Sequence, residues 1–237
     1  MVMESTLHVT CANNALNLIT NAGFEGGLIA GELDGCTLYN CEVRGGRAVN
    51  NTTSGVQALG GEGLYMAAFA GYVTNSTIEY CRVTPTRKKD GSIAANGMTD
   101  VTNKYDVAVG ALGGNNVYAS GFVGCMAGNA KIIDCFSTAQ CYSYAASYVG
   151  VVSVTRAWTG GLAGRILTAE GNELVRSHFA GDLSSRQYNP IAVIPIIQND
   201  VNLGGIAARA NKGDATVTEC YFKPSVSLNG SSQGTAA

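Results

Sequence analysis

Proline, histidine and charged residues are scarce in this sequence of 237 residues. It contains 4 prolines and 2 histidines, only 14% of its residues are charged, and the formal net charge is -2. So weak a charge leaves no electrostatic footprint for nucleic acid or an anionic membrane. The one basic cluster, Arg87-Lys88-Lys89, is followed at once by Asp90. We therefore expect no nucleic-acid partner.

Motifs that carry catalytic or metal chemistry are also missing. The sequence has no Cys-x-x-Cys, no His-Glu-x-x-His and no glycine-rich loop followed by a P-loop lysine. No apolar run approaches the roughly 18 to 20 residues of a membrane span, and no signal peptide is recognisable. The expectation is a chain with no catalytic residues, no cofactor, no metal and no membrane insertion in this segment.

Glycine, in contrast, is abundant, with 31 residues, and much of it falls in a repeated motif of the type Gly161-Leu162-Ala163-Gly164. The other four copies are Gly27-Leu28-Ile29-Ala30, Ala68-Phe69-Ala70-Gly71, Gly121-Phe122-Val123-Gly124 and Gly205-Ile206-Ala207-Ala208. Recurrence of one motif along a chain predicts stacked structural repeats. Glycine at this density disfavours helices, whereas the many Val, Ile, Thr and Tyr residues favour strands.

A second repeated stretch follows each copy and places an aliphatic residue three positions before a cysteine or serine. The five stretches are Thr37-Leu38-Tyr39-Asn40-Cys41, Thr77-Ile78-Glu79-Tyr80-Cys81, Lys131-Ile132-Ile133-Asp134-Cys135, Glu173-Leu174-Val175-Arg176-Ser177 and Thr216-Val217-Thr218-Glu219-Cys220. Residues three apart lie on opposite faces of a straight strand, so both point inward only if the chain bends between them. The pattern predicts an all-β fold, a β-solenoid (β-helix) of about five repeats with irregular inserted loops.

The spacing of the motifs suggests how the chain is divided. We expect a partial or capping coil over residues 1–25, one solenoid domain over 26–224 and a flexible tail over 225–237. The uneven insertions within the domain are residues 45–65, 85–118, 141–158 and 182–202. A separation of about 40 residues corresponds to roughly two ordinary solenoid coils. Two coils per repeat give a rod on the order of 50 Å long.

The repeated pattern resembles the GLUG motif, which occurs in tandem in bacterial surface proteins. The best copies are residues 121–137, 161–179 and 205–222. Proteins of that family are large secreted adhesin-like chains and stalk regions of IgA-protease-like metallopeptidases. The resemblance implies β-helical stacking, an extracellular location, secreted or on the cell surface, and membership of a larger surface protein. It supplies no catalytic residues.

The cysteines are expected to be structural free thiols. Five of the eight share one column of the repeat alignment, namely Cys11, Cys41, Cys81, Cys135 and Cys220. Rungs two coils apart would lie about 10 Å from one another, whereas a disulfide needs Cα atoms within about 7 Å. The alternative is a bridge between Cys36 and Cys41 or between Cys135 and Cys141. Of the two histidines, His178 is expected on the surface.

Aromatic residues around the third repeat and the insertion after it are the candidate ligand-binding residues. They are Tyr118, Tyr142, Tyr144, Tyr148 and Trp158. Aromatic rings on a solenoid face stack on sugars or fill a pocket of a protein partner. The predicted function is a non-catalytic, adhesin-like module that binds a host or bacterial glycan or protein, or a display stalk without a ligand.

The alternative function is that of a carbohydrate-active β-helix enzyme, a polysaccharide lyase or glycosidase. Such enzymes use paired carboxylates on an outer face. The closest pair in the sequence is Glu32 and Asp34, which share a face of a strand at a spacing of two. No other repeat has acidic residues at the equivalent positions. The enzyme's site would lie under the insertion over residues 85–118.

Overall fold

Short strands separated by tight corners follow one another along the chain. The computed structural model describes residues 8–12, 24–51, 63–84, 107–113, 116–146, 155–167, 170–188 and 199–222. These ranges contain 25 strands and no helix, and therefore none that could cross a membrane. The expected tail over residues 225–237 lies outside the described ranges.

The strands form five sheets of five parallel strands each. Every turn of the chain contributes one strand to each sheet, beginning with sheets A, B and C. Sheet A contains β1 (His8–Ala12), β6 (Gly46–Asn51), β11 (Val107–Gly113), β16 (Gln140–Ala146) and β21 (Leu183–Tyr188). Sheet B contains β2 (Phe24–Gly26), β7 (Leu64–Ala67), β12 (Val117–Ser120), β17 (Thr155–Gly160) and β22 (Asn199–Gly204). Sheet C contains β3 (Ala30–Asp34), β8 (Ala70–Thr74), β13 (Val123–Met126), β18 (Ala163–Ile166) and β23 (Ala207–Arg209).

Two further sheets complete each turn. Sheet D contains β4 (Thr37–Tyr39), β9 (Thr77–Glu79), β14 (Lys131–Ile133), β19 (Glu173–Val175) and β24 (Thr216–Thr218). Sheet E contains β5 (Glu42–Arg44), β10 (Arg82–Thr84), β15 (Phe136–Ser137), β20 (His178–Phe179) and β25 (Tyr221–Phe222). Each strand pairs with the strand five places away in the chain. The predicted all-β solenoid is therefore confirmed.

Each repeat makes one coil, so the prediction of two coils per repeat is wrong. Coils 1 to 5 are β1–β5, β6–β10, β11–β15, β16–β20 and β21–β25. A coil takes about 40 residues because it has five strands and five corners, and in coils 2 to 5 the insertions supply most of the sheet A strand. With parallel strands about 4.8 Å apart, five coils extend over about 20 Å rather than 50 Å. Within the insertions, residues 147–154 and 189–198 lie outside the described ranges.

A left-handed residue makes the bend that was predicted between the aliphatic residue and the cysteine. Its φ angle is positive in all five coils, at Asn40, Tyr80, Asp134, Arg176 and Glu219, with values between 45° and 53°. The side chains on either side of the bend both reach the core: Ile132 and Cys135 are buried, and so are Leu174 and Ser177. The corner between sheets D and E is thus built in the same way each time.

The apolar residue of the repeated glycine motif contributes one row of the core in coils 2 to 4. Phe69 and Phe122, at the bend between sheets B and C, are fully buried and stack with ring centroids 4.7 Å apart. Leu162 continues the same row one coil further along. At Gly161 a Cβ atom would lie 1.9 Å from the carbonyl oxygen of Gly205. Coils 3 to 5 have glycine at this position, and in coils 3 and 4 a Cβ atom there would be too close to the neighbouring coil, whereas coils 1 and 2 have Leu28 and Ala68.

The first copy of that motif is displaced by one residue from its expected position. Ile29 donates its N–H to the carbonyl oxygen of Phe69 at 2.9 Å, just as Phe69 does to Phe122 at 3.0 Å. Leu28-Ile29-Ala30-Gly31 is therefore the copy in register. The sequence alone does not distinguish Gly27-Leu28-Ile29-Ala30 from Leu28-Ile29-Ala30-Gly31, because both contain glycine and apolar residues. The strand pairing of Ala30 with Ala70 decides between them.

The cysteine column forms an inward ladder, as predicted, over Cys41, Cys81, Cys135, Ser177 and Cys220. Each rung donates from Sγ or Oγ to the carbonyl oxygen two residues earlier, at distances from 2.9 to 3.6 Å. Serine fits the column because its hydroxyl makes the same hydrogen bond. All seven described cysteines are free, so neither proposed bridge is present.

The cysteine rungs differ from expectation in two respects. The rungs are one coil apart, so the distance of about 10 Å does not explain why they are unbridged. Cys11 does not belong to the column, because it lies in β1 and pairs with Asn50 in sheet A. His178 is exposed, as predicted, on the outer side of sheet E.

Candidate functional site

A groove runs along the outer side of the bend between sheets B and C, and two columns of side chains line it. We call it the corner groove. The column from sheet B consists of Glu25, Tyr65, Tyr118, Trp158 and Asn202, one from each coil. The column from sheet C consists of Glu32, Tyr72, Cys125, Arg165 and Arg209. The bend is concave on its outer side, and the outward side chains of both sheets therefore meet there.

Three aromatic rings form a continuous stack in the middle of the groove. Tyr65 and Tyr118 are stacked with centroids 5.0 Å apart, and Tyr118 and Trp158 with centroids 4.6 Å apart. Tyr72 approaches Tyr65 edge-on at 6.1 Å. Parallel strands in register place equivalent side chains one strand spacing apart, which is the separation that stacked rings prefer.

Two arginines from sheet C lie over the aromatic stack. The Nη1 of Arg165 donates a hydrogen bond to the Oη of Tyr65 at 2.9 Å, and its guanidinium lies 5.7 Å from the centroid of the Tyr118 ring. Arg209 donates to the Oη of Tyr118 at 3.0 Å and lies 4.8 Å from the Trp158 ring. Burial raises the pKa of both phenols, so they are neutral acceptors for these cationic donors.

The last glycine of the repeated motif allows the rings to approach the backbone of sheet C. A Cβ atom added to Gly124 would lie 2.9 Å from the Cβ of Tyr65 and 2.5 Å from the carbonyl oxygen of Gly71. Beside it, Cys125 is fully buried against the rings, and burial raises the pKa of its thiol to about 12. The thiol is therefore protonated and acts as an apolar spacer.

The groove opens into a cavity of about 430 Å³ toward coil 1. Its lining is formed by Glu25, Glu32, Tyr65, Tyr72, Arg165 and Leu167. In coil 1 both columns carry a carboxylate, whereas in coil 5 they carry Asn202 and Arg209. The corner groove therefore carries negative charge at the first coil, and the guanidiniums of Arg165 and Arg209, which reach back over Tyr118 and Trp158, place positive charge over its middle coils.

The structure brings together two of the five predicted ligand-binding residues. Tyr118 and Trp158 lie in the corner groove, but their exposed fractions are 0% and 2%, so their rings are covered rather than presented to solvent. Tyr142 lies on sheet A beside Gly110 and is half-buried. Tyr144 lies in the same strand, but its side chain is not among those described, and Tyr148 is outside the described residues.

Sequence reasoning missed Tyr65, Arg165 and Arg209. The two columns occupy the positions three before and four after the start of each motif copy, once the first copy is placed at Leu28. A search of those positions identifies all ten side chains. Of the carboxylate pair considered from the sequence, Glu32 lines the cavity, while Asp34 accepts a hydrogen bond from the amide Nδ2 of Asn75 at 3.0 Å.

The fold and the groove together define a parallel β-solenoid with a polar, aromatic outer groove. Among the described residues no group of three His, Cys, Asp or Glu side chains is arranged to hold a metal ion. Comparison of the chain with protein-family models, with curated proteins and with solved structures gives no significant match.

Proposed function

We propose that this chain is a non-catalytic binding module of a bacterial secreted or cell-surface protein, similar in role to an adhesin. The corner groove is its ligand site, and the ligand is a glycan or a protein segment. The observation that carries the proposal is the convergence of two side-chain columns on one open cavity of about 430 Å³. Cavities of this size with a few convergent polar groups are typical of ligand sites.

The lining supports recognition by hydrogen bonds and ring contacts. Tyr72 is half-buried in the cavity wall, and its ring meets Tyr65 edge-on. Glu32 is exposed and provides acceptors, whereas Arg165 provides donors. Such a mixture of ring and polar groups suits sugar hydroxyls, which donate and accept hydrogen bonds around an apolar ring face.

A glycan array and calorimetry test the proposal. The full chain is expected to bind at least one glycan, and Tyr72→Ala is expected to weaken that binding about tenfold, because it removes one wall of the cavity. The control is Tyr221→Ala, since Tyr221 is 67% exposed on the outer side of sheet E. Absence of binding to glycans and to protein extracts would instead favour a display stalk.

One observation favours the enzyme alternative. Glu25 and Glu32 line the same cavity, together with the cationic Arg165. Paired carboxylates are the groups that glycosidases use as acid and base or nucleophile. Incubation with a panel of polysaccharides, followed by a reducing-end assay, tests this. Cleavage that is lost in both Glu25→Gln and Glu32→Gln would replace the binding proposal.

A further inference from the structure

We propose that Arg165 and Arg209 form an anion-binding pair in the corner groove, and that the ligand is an oligosaccharide with a carboxylate or sulfate at one end. This inference rests on the proposed binding function, and it names the class of ligand. The pair occupies neighbouring positions of the sheet C column, where the two residues are strand partners in coils 4 and 5.

The two guanidinium groups are like charges held at close range. The guanidiniums lie over neighbouring rings of the stack, Tyr118 and Trp158, whose centroids are 4.6 Å apart. Two unit charges at so short a separation repel each other, and more strongly near a protein surface than in water. Within the described ranges neither arginine forms an ion pair with a carboxylate. An anion between the two guanidiniums turns this repulsion into attraction.

Both side chains are held in place before any ligand arrives. Arg165 is fixed by the phenol of Tyr65 and by the Tyr118 ring, and Arg209 by the Tyr118 phenol and by the Trp158 ring. A guanidinium has five N–H donors, and one such bond leaves others for an anion. Arginine fixed in this way loses little side-chain entropy when it binds a carboxylate or sulfate.

The arginines are also accessible enough to meet a ligand. Arg209 is exposed, and Arg165 is half-buried at the wall of the cavity. A purely structural role, in which the arginines only cover the aromatic stack, would not require both to remain in contact with solvent. The two roles are compatible, because the hydrogen bonds to the phenols use a single nitrogen atom of each guanidinium.

The carboxylates of coil 1 limit how many charges the ligand carries. Glu25 and Glu32 lie in coil 1 and line the cavity together with Arg165, whose guanidinium reaches back to Tyr65 in coil 2, whereas the guanidinium of Arg209 reaches only as far as Tyr118 in coil 3. They accept hydrogen bonds from neutral hydroxyl groups but repel an anion. A saccharide with its charge on one terminal unit therefore fits the groove along its length, whereas a chain with a charge on every unit does not.

The test compares four probes by calorimetry with the full chain. They are a disaccharide that ends in glucuronate, its neutral glucose-terminated counterpart, a heparin hexasaccharide and a thymidine dodecanucleotide. The glucuronate disaccharide is expected to bind at least tenfold more tightly than the neutral sugar, and binding is expected to weaken as salt increases. Arg209→Gln should weaken it about tenfold, because it removes charge-assisted hydrogen bonds.

Matched variants separate recognition from general charge. Arg82→Gln removes the same charge from the outer side of sheet E and should leave binding unchanged. Arg209→Lys keeps the charge but loses the planar fork, so an intermediate affinity is expected. A second variant, Arg165→Gln, should repeat the effect of Arg209→Gln, and thermal unfolding shows that each variant is folded.

Each of the remaining outcomes contradicts either the anion-binding pair alone or glycan binding by the groove as well. Equal binding of the neutral and glucuronate sugars, unaffected by Arg209→Gln, overturns the anion pair and leaves the groove as a binding site. Tighter binding of heparin or the oligonucleotide, reduced equally by Arg82→Gln, shows non-specific charge attraction and also overturns the pair. No binding of any saccharide, in these probes or on a glycan array, overturns both the pair and glycan binding by the groove.

Discussion

Arg209 donates a hydrogen bond from its Nη1 to the phenol oxygen of Tyr118 at 3.0 Å, although the two residues belong to coils 5 and 3. Arg165 and Tyr65 repeat the relationship at 2.9 Å between coils 4 and 2. Each arginine crosses one intervening aromatic ring to reach its acceptor. The groove therefore ties together coils that share no strand pairing.

The first prediction concerns the hydrogen bond between Arg209 and Tyr118. Tyr118→Phe removes the acceptor of Arg209 while keeping the ring in the stack, and we expect the free energy of unfolding to fall by about 1 kcal/mol. Urea denaturation measures the loss. Tyr221→Phe, at an exposed position of sheet E, is the control and should change stability by only a few tenths of a kcal/mol. Equal effects of the two substitutions would show that the hydrogen bond contributes nothing.

A second prediction concerns the left-handed corner between sheets D and E. Glu219 has a φ of 53°, a conformation that costs a non-glycine residue roughly 1 kcal/mol. Glu219→Gly is therefore expected to raise the midpoint of urea unfolding. Glu219→Ala keeps a Cβ atom in the same conformation and should leave the midpoint nearly unchanged. If alanine stabilises as much as glycine, backbone strain is not the reason.

The pH dependence of stability is predicted from Glu42. Burial alone raises the pKa of this carboxyl, but hydrogen bonds from Arg44, Thr84 and Arg82 outweigh it and lower the pKa to about 2. An unfolded glutamate has a pKa of about 4.3. Its charged form therefore stabilises the fold fully above about pH 5, and this contribution disappears as the pH falls toward 2.

Glu42→Gln tests this assignment. We expect the variant to be less stable than the parent chain by about 1 kcal/mol at pH 7. The difference should shrink between about pH 5 and pH 2, because the parent chain loses its carboxylate there and the variant has none to lose. A difference that is constant over this range would exclude titration of Glu42 as its cause.

Thiol labelling provides the last prediction. Cys36, Cys41 and Cys220 are half-buried, whereas Cys125 and Cys141 are fully covered. Burial also raises the pKa of Cys125 to about 12, so roughly one thiol in ten thousand is ionised at pH 8. Among the seven cysteines whose side chains the structure describes, iodoacetamide should therefore label the three half-buried residues first. Mass spectrometry before and after unfolding gives the order, and early labelling of Cys125 would contradict the packing of the groove.

The repeat motif was sufficient to predict the fold class and the inward ladder of Cys41, Cys81 and Cys135. Those features depend on local patterns, namely an aliphatic residue, a bend and a small side chain, which recur in every coil. The number of coils per repeat was not predictable in this way. It depends on which strands pair, and the pairing of β1 with β6 across some forty residues leaves no local signal.

The corner groove was predicted only in part for the same reason. Tyr118 and Trp158 were predicted because aromatic residues cluster around the third repeat, but their burial follows from arginines that lie tens of residues later. Arg165 and Arg209 have ordinary neighbours in the sequence and acquire meaning only when coils 4 and 5 are in register. The one-residue displacement at Leu28 would have hidden Glu25 and Glu32 from any search based on the original alignment.

Because each repeat forms one coil, the length of the groove is set by the number of repeats in the chain. Duplication or loss of a single coil lengthens or shortens the groove by about 4.8 Å and adds or removes one residue in each column, while the strand pairing between the remaining coils keeps the same pattern. A substitution in a column changes a single position of the surface. A lineage that carries this fold can therefore alter the length and the charge order of its groove independently, without redesigning the core beneath it.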